Sequence, residues 1–433
     1  MSLRKYKILL IVLLSLTAYV RLSAQDDMVI FVPEEECICD TVQPLKKTTY
    51  SSKEAAMTGL KEGEFGQVSG SDSLYLKTAD NKLISVGTVL PETFKYENTG
   101  KIETNVPYIV FSQPEGTNLA FDNNSRKYFD NVYRLKDTYE KQNANYTVPW
   151  LAMNPGKIEH IDATVAGGAT IDSVKFIMPL SDGSTLQLTH NRTYDVHIPG
   201  GSAGTTTEIF AVAQIGETNK VVGKLKIANY AAKTQKVNLV PVRRDKETIN
   251  GREIESKLNE IYGRLGIKFE VTVKERFGDG EEYSFLDGGL QVDDKGFWSN
   301  ETEQMKQLRL MYYAENSENL ETGTAYIFVI DFAENPNVQG DMPRGKSVGY
   351  IFDNSSSFAD GRLVAHELGY GLYGLQHTFS PEYGVSQGTT NNLMDYTTNN
   401  DDFLAAWQWK IINNPMIVWN FLEGDEDAMA KKI

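Results

Sequence analysis

The sequence predicts a multidomain chain, β-rich through its first half and closing in an α+β domain, and three observations carry that expectation. The chain has 433 residues, room for two or three domains of about 150 residues each. Between residues 157 and 242, six short apolar stretches alternate with turn residues and show no helical period. After Pro241 the period changes, and Ile254, Leu258, Ile261 and Leu265 recur at helical spacing.

Taken in order, the chain opens with Lys5 and Lys7 ahead of an apolar run over residues 8–20, which stops at Arg21 and is followed by Ala24-Gln25. The run is short for a bilayer span. Basic start, apolar middle and small residue together predict an export signal over residues 1–24, cleaved before Gln25, with an uncleaved anchor as the alternative. The cleaved chain would be secreted, periplasmic or held at the cell surface, with no stable membrane insertion. Cys37 and Cys39 are the only cysteines. A bridge between them would close a strained ring, and multi-cysteine zinc sites are excluded.

Residues 25–155 carry short apolar pieces between Gly, Ser, Asp and Asn clusters and predict a β-rich region with no recognisable chemistry. In residues 156–242 the candidate strands are 171–178, 185–190, 193–198, 208–215, 221–227 and 235–242, a pattern that predicts an antiparallel sandwich of immunoglobulin-like size. Three of the five histidines, His160, His190 and His197, fall here, and their scatter over strands reads as surface or cross-strand placement rather than a metal site. Residues 243–433 predict a separate domain. A helix stops at Gly266, an alternating strand covers 267–273, a helix covers 302–316, and the continuous apolar run 325–330 suits a central strand.

Charge narrows the partners. Lysine and arginine total 43 against 58 acids, for a net charge of -15. So acidic a chain lacks the basic face that a nucleic acid or an anionic membrane requires.

The chemistry gathers in the last domain, at His366-Glu367-Leu368-Gly369-Tyr370-Gly371. Residues four apart stand about 40° apart around a helix and one turn along it, so side chains at 366 and 370 can reach one ion. In His-Glu-x-x-His, two imidazoles hold zinc and the glutamate handles the proton of the attacking water. Here position 370 is tyrosine. A straight helix would leave His377 about 16 Å from His366, so the chain must turn, which Gly371 and Gly374 allow.

The segment resembles the metzincin metallopeptidases, whose helical histidines are followed by a glycine and, three residues later, by a third histidine. Gly374 and His377 keep that spacing, with one extra residue before the glycine. Asn392-Leu393-Met394-Asp395-Tyr396 is similar to the Met-turn of the family, with Tyr396 where some members bring a tyrosine near the metal. Residues 347–352 resemble the edge strand along which such enzymes lay an extended peptide. The resemblance covers about 190 residues, and His377-Thr378-Phe379 is similar to the ending in secreted bacterial members. It implies one zinc ion held by His366, His377 and, in place of the second histidine, Tyr370. It implies Glu367 as general base and a protein or peptide as substrate. A phenol must lose a proton to ligate well, so a weakly held ion is expected. Asp360, Glu382 and Asp395 are conceivable substitutes without a spacing argument. Three functions remain open: a zinc endopeptidase, an inactive module that binds a peptide or surface partner, and a surface protein whose β domains do the binding. Nothing in the sequence indicates the oligomeric state.

Overall fold

The computed structural model describes residues 42–413 except 103–106, 125–126, 130–131, 133–134, 137, 144, 168–170, 172, 192–193, 293–300, 354–360, 382 and 397–401. The expected export signal, both cysteines, Asp360 and Glu382 lie outside the described residues. No helix among the described residues is long and apolar enough to cross a membrane.

The first half is built almost wholly of strands. In chain order β1 (Lys47–Tyr50) is followed by helix α1 (Lys53–Gly59), β2 (Phe65–Val68), β3 (Ser73–Lys77), β4 (Leu83–Leu90), β5 (Tyr108–Ser112) and β6 (Phe121–Asp122). Then come β7 (Lys141–Asn143), β8 (Tyr146–Thr147), β9 (Trp150–Met153), β10 (Ile158–Ala166), β11 (Val174–Pro179) and β12 (Thr185–Leu188). β13 (Asp195–Pro199), β14 (Thr206–Ile215) and β15 (Thr218–Asn229) complete the series. One sheet has the order β1-β2-β3-β4-β12-β11-β14-β15-β9-β6 and a second the order β13-β10-β5, while β7 and β8 form a hairpin. Alternation drives the packing: Ile161 and Ala163 of β10 and Val196 and Ile198 of β13 turn inward, where they share a core with Phe176, Leu186, Ile209 and Leu225 of the larger sheet.

Two expectations are corrected here. Residues 25–155 were to form a region apart from the sandwich, yet β4 pairs with β12, β5 with β10 and β9 with β15. The described part of that region therefore supplies strands to both sheets of the sandwich. The stretch 235–242 was to be its last strand. Instead β16 (Lys233–Pro241) lies between β17 (Ile267–Val273) and β18 (Thr324–Ile330), parallel to both. Its apolar second half is buried on both faces, as a central parallel strand requires.

This last sheet has the order β17-β16-β18-β20-β19, with β19 (Gly340–Asp341) antiparallel on β20 (Val348–Phe352) and the rest parallel. It is thus a largely parallel sheet with helices on both faces, the α/β form of the α/β or α+β domain that alternating helices and strands imply. Every residue of β18 is buried. Ala325, Ile327 and Val329 join one core with α2 (Gly251–Tyr262) and α4 (Arg362–Gly371), while Tyr326, Phe328 and Ile330 join another with α3 (Glu303–Glu315). Helix α5 (Ala406–Asn413) closes the described chain and packs Trp409 and Ile412 into the α2–α4 core. Val348–Phe352, expected at the edge, is covered by β19 and fully buried. The edge strand is the two-residue β19, too short to leave a period in the sequence.

Candidate metal centre

Helix α4 carries the motif. Gly361 precedes it in the left-handed region at φ 80°, and a Cβ there would approach the α2 backbone at Ile254 to 3.0 Å, so the helix starts tight against α2. Leu363, Val364, Ala365 and Leu368 anchor it in the core, with His366 and Glu367 buried beside them. The helix ends at Gly371, where a Cβ would run into Met342, and the turn itself is taken by Gly374 at φ 62°. Gly374 N–H bonds to Tyr370 O at 3.0 Å and Leu375 N–H to Gly369 O at 2.9 Å, while Arg344 Nε donates to Gly374 O at 2.7 Å. That turn brings the His377 ring to 5.4 Å from the His366 ring, centroid to centroid.

Each imidazole has a defined setting. His366 Nδ1 lies 2.9 Å from the carbonyl oxygen of Leu393, which can only accept, so Nδ1 carries the proton and Nε2 keeps its lone pair. Burial, against the pull of that carbonyl, lowers the His366 pKa to about 4. His377 is likewise held well below its ordinary value, by burial and then by His366. Its Nδ1 meets Tyr370 Oη at 2.9 Å, and its Nε2 is buried with no hydrogen-bond partner. A buried ring nitrogen left unpaired is costly unless something electrophilic meets it.

Around the rings, Tyr396 stands 4.8 Å from His377 and 5.7 Å from His366, and Phe379 stacks on His377 at 4.4 Å. Met394 is fully buried beneath the helix, and a Cβ on Gly369 would lie 2.9 Å from its sulfur. Its loop is held by side chains: Asn392 Oδ1 accepts from Met394 N at 2.9 Å, and Asn392 exchanges two bonds with Gln408 of α5. Asp395 accepts from Gly388 N at 2.7 Å and from Thr390 N and Oγ1, both at 2.8 Å. That carboxylate closes the loop, which removes Asp395 from the conceivable ligands.

Glu367 turns toward the edge strand. A Cβ on Gly340 would come within 2.6 Å of Glu367 Oε1, so β19 passes the carboxyl closely. Burial, and then the nearby Asp341 carboxylate, push the Glu367 pKa up to about 8, against a hydrogen bond from the Met342 backbone.

The four site residues taken from the sequence, His366, Glu367, Tyr370 and His377, are thus on one helix and the turn that follows it, with the three rings gathered. Tyr370 meets His377 rather than standing apart as an independent donor. The donor set offers zinc two nitrogens, His366 Nε2 and the orphaned His377 Nε2, whereas Tyr370 Oη is turned to His377 Nδ1, on the other side of that ring. Sequence reasoning missed the Leu393 carbonyl and the Gly340–Asp341 edge, because neither leaves a side-chain pattern. His160 and His197, read from the sequence as surface or cross-strand residues, face each other across β10 and β13. Compared with known proteins, the sequence matches no protein family and no curated protein.

Proposed function

We propose that the chain is an exported zinc-dependent endopeptidase of metzincin type, its site on α4, with the sandwich as an immunoglobulin-like module ahead of it. The observation that carries this reading is the unpartnered, buried Nε2 of His377 beside a His366 whose Nδ1 already donates to a backbone carbonyl. Metal-binding imidazoles characteristically give their other nitrogen to such an acceptor. Met394 packed under Gly369 and an antiparallel edge strand beside Glu367 support it further.

His366 and His377 would hold the ion through their Nε2 atoms, and Tyr370 would join them only after leaving His377 Nδ1. A bound zinc supplies Lewis acidity toward a peptide carbonyl and a water of lowered pKa. Glu367 takes the proton of the attacking water and returns it to the leaving nitrogen, a role that needs its carboxyl ionised at that moment. A cation nearby favours ionisation against the burial that opposes it. An extended substrate lies antiparallel to β19, adding a strand to the sheet edge.

A second reading, an inactive peptide-binding module, is favoured by the Tyr370 hydroxyl meeting His377 and by Glu367 holding its proton near neutral pH. Zinc content and hydrolysis of unfolded casein decide between the two, with Glu367→Gln as the control. The peptidase reading expects zinc in both proteins and turnover in the parent alone, reduced by a factor on the order of 10³ or more in the variant. A parent that binds casein but never cleaves it establishes the second reading.

A further inference from the structure

A separate set of donors meets on the outer face of the three-stranded sheet. The register of β10 against β13 sets His160 opposite His197 and Asp162 opposite Asp195. These four side chains leave the face turned away from Ile161, Ala163, Val196 and Ile198, which fill the core. His160 Nδ1 lies 3.0 Å from Asp195 Oδ1, and His197 Nε2 lies 3.9 Å from Asp195 Oδ2. One donor atom from each of His160, Asp195 and His197 falls within 4.8 Å of the others. Donors bound tetrahedrally at about 2.0–2.1 Å stand ~3.3 Å apart, a spacing those two separations bracket, so small rotamer changes suffice.

The electrostatics point the same way. Two carboxylates directly opposite on one sheet face repel, and Asp162 stands opposite Asp195 here. A divalent ion held at Asp195 offsets that repulsion. Asn191 Nδ2 also reaches Asp195 Oδ2, at 3.4 Å. Solvent reaches all three donors, with side-chain exposures of 52% for His160, 36% for His197 and 27% for Asp195.

We propose that His160, Asp195 and His197 form a divalent transition-metal site on the sandwich, independent of the α4 site and sharing no residue with it. Two imidazoles and one carboxylate select zinc or nickel over calcium and magnesium, which prefer oxygen donors. The remaining position is open to water or to a ligand atom from outside. Because β13 is outermost in its sheet, an ion bound from both β10 and β13 pins that edge strand.

The test is calorimetric titration of Zn2+ into the full chain, into His377→Ala and into the double variant His160→Asn, His197→Asn, with circular dichroism to check folding. The expected result is one equivalent of zinc retained by His377→Ala and lost by the double variant, accompanied by a zinc-induced rise in melting temperature that the double variant lacks. Asp195→Asn, which keeps the side-chain volume, should weaken the same equivalent by about tenfold or more. Excess Mg2+ should not displace it. Undiminished zinc uptake by a folded double variant, no uptake by the parent and His377→Ala alike, or displacement by Mg2+ would each overturn the site.

Discussion

Tyr370 is the residue on which the α4 site turns. An imidazole at that position would be neutral, shorter than a phenol and in no need of deprotonation before meeting zinc. Tyr370→His would also withdraw the hydroxyl that now meets His377 Nδ1 at 2.9 Å. The expected outcome is zinc held at least about tenfold more tightly, with casein hydrolysis raised in parallel, checked by competition with a chelator of known affinity. An unchanged zinc affinity would mean that the backbone at 370 does not address the same ion as His366 and His377. At this scale the sequence was legible where chemistry follows spacing: His366, Glu367 and Tyr370 share one helix, and Gly374 makes the turn that returns His377. It was not legible where a backbone atom does the work, as Leu393 O does for His366. Nor did it disclose that Asp395 is consumed by its own loop, or which two of the cross-strand histidines stand opposite each other.

Among the elements, β18 was readable because a run buried on both faces has no polar alternation, and its two faces indeed feed two cores. β16 misled because it follows the sandwich strands at similar length with no helical period, its polar first half Lys233–Lys236 giving no sign of a central parallel strand. Pairing decides its place, and pairing is non-local: β16 is joined to β17 and β18, whose partners in the register lie far along the chain. The consequence is testable with two fragments. One beginning at Ala231 keeps β16 between its neighbours, whereas one beginning at Arg243 leaves β17 and β18 with facing unpaired edges and removes Val237 and Leu239 from the core. The shorter fragment is expected to be insoluble or molten, with the longer one giving the more dispersed amide spectrum by NMR. Equal dispersion from both would show that β16 contributes little to the sheet.

At the level of the whole molecule, the helix-covered sheet and the sandwich are joined by shared core rather than by a linker. Trp150, Ala152, Ala228 and Tyr230, from β9 and the end of β15, lie in the same apolar cluster as Leu258 of α2 and Met394 under the site. Phe129, Val132, Leu135 and Tyr139 pack with Ala405 and Trp407 at the start of α5. Across this junction Asp122, 2% exposed, accepts from Ala406 N at 2.8 Å, from Tyr139 Oη at 2.7 Å and from Asn124 N at 2.8 Å. Gln408, in the first turn of the same helix, bonds Asn392 and so reaches the Met394 loop. A chain of hydrogen bonds thus runs from a sandwich strand to the floor of the site. Asp122→Ala leaves three donors without an acceptor at a buried position, and each such loss costs about 1–3 kcal/mol. The variant is therefore expected to lose on the order of 3–5 kcal/mol, read from urea unfolding followed by tryptophan fluorescence, since Trp150, Trp407 and Trp409 all border the junction. If the junction makes one cooperative unit of the two halves, fluorescence and far-ultraviolet circular dichroism should shift together to lower urea. Two separated transitions, with the fluorescence change alone moving, would show instead that the sandwich is stable without the helices that pack against it, and that Asp122 only fastens α5.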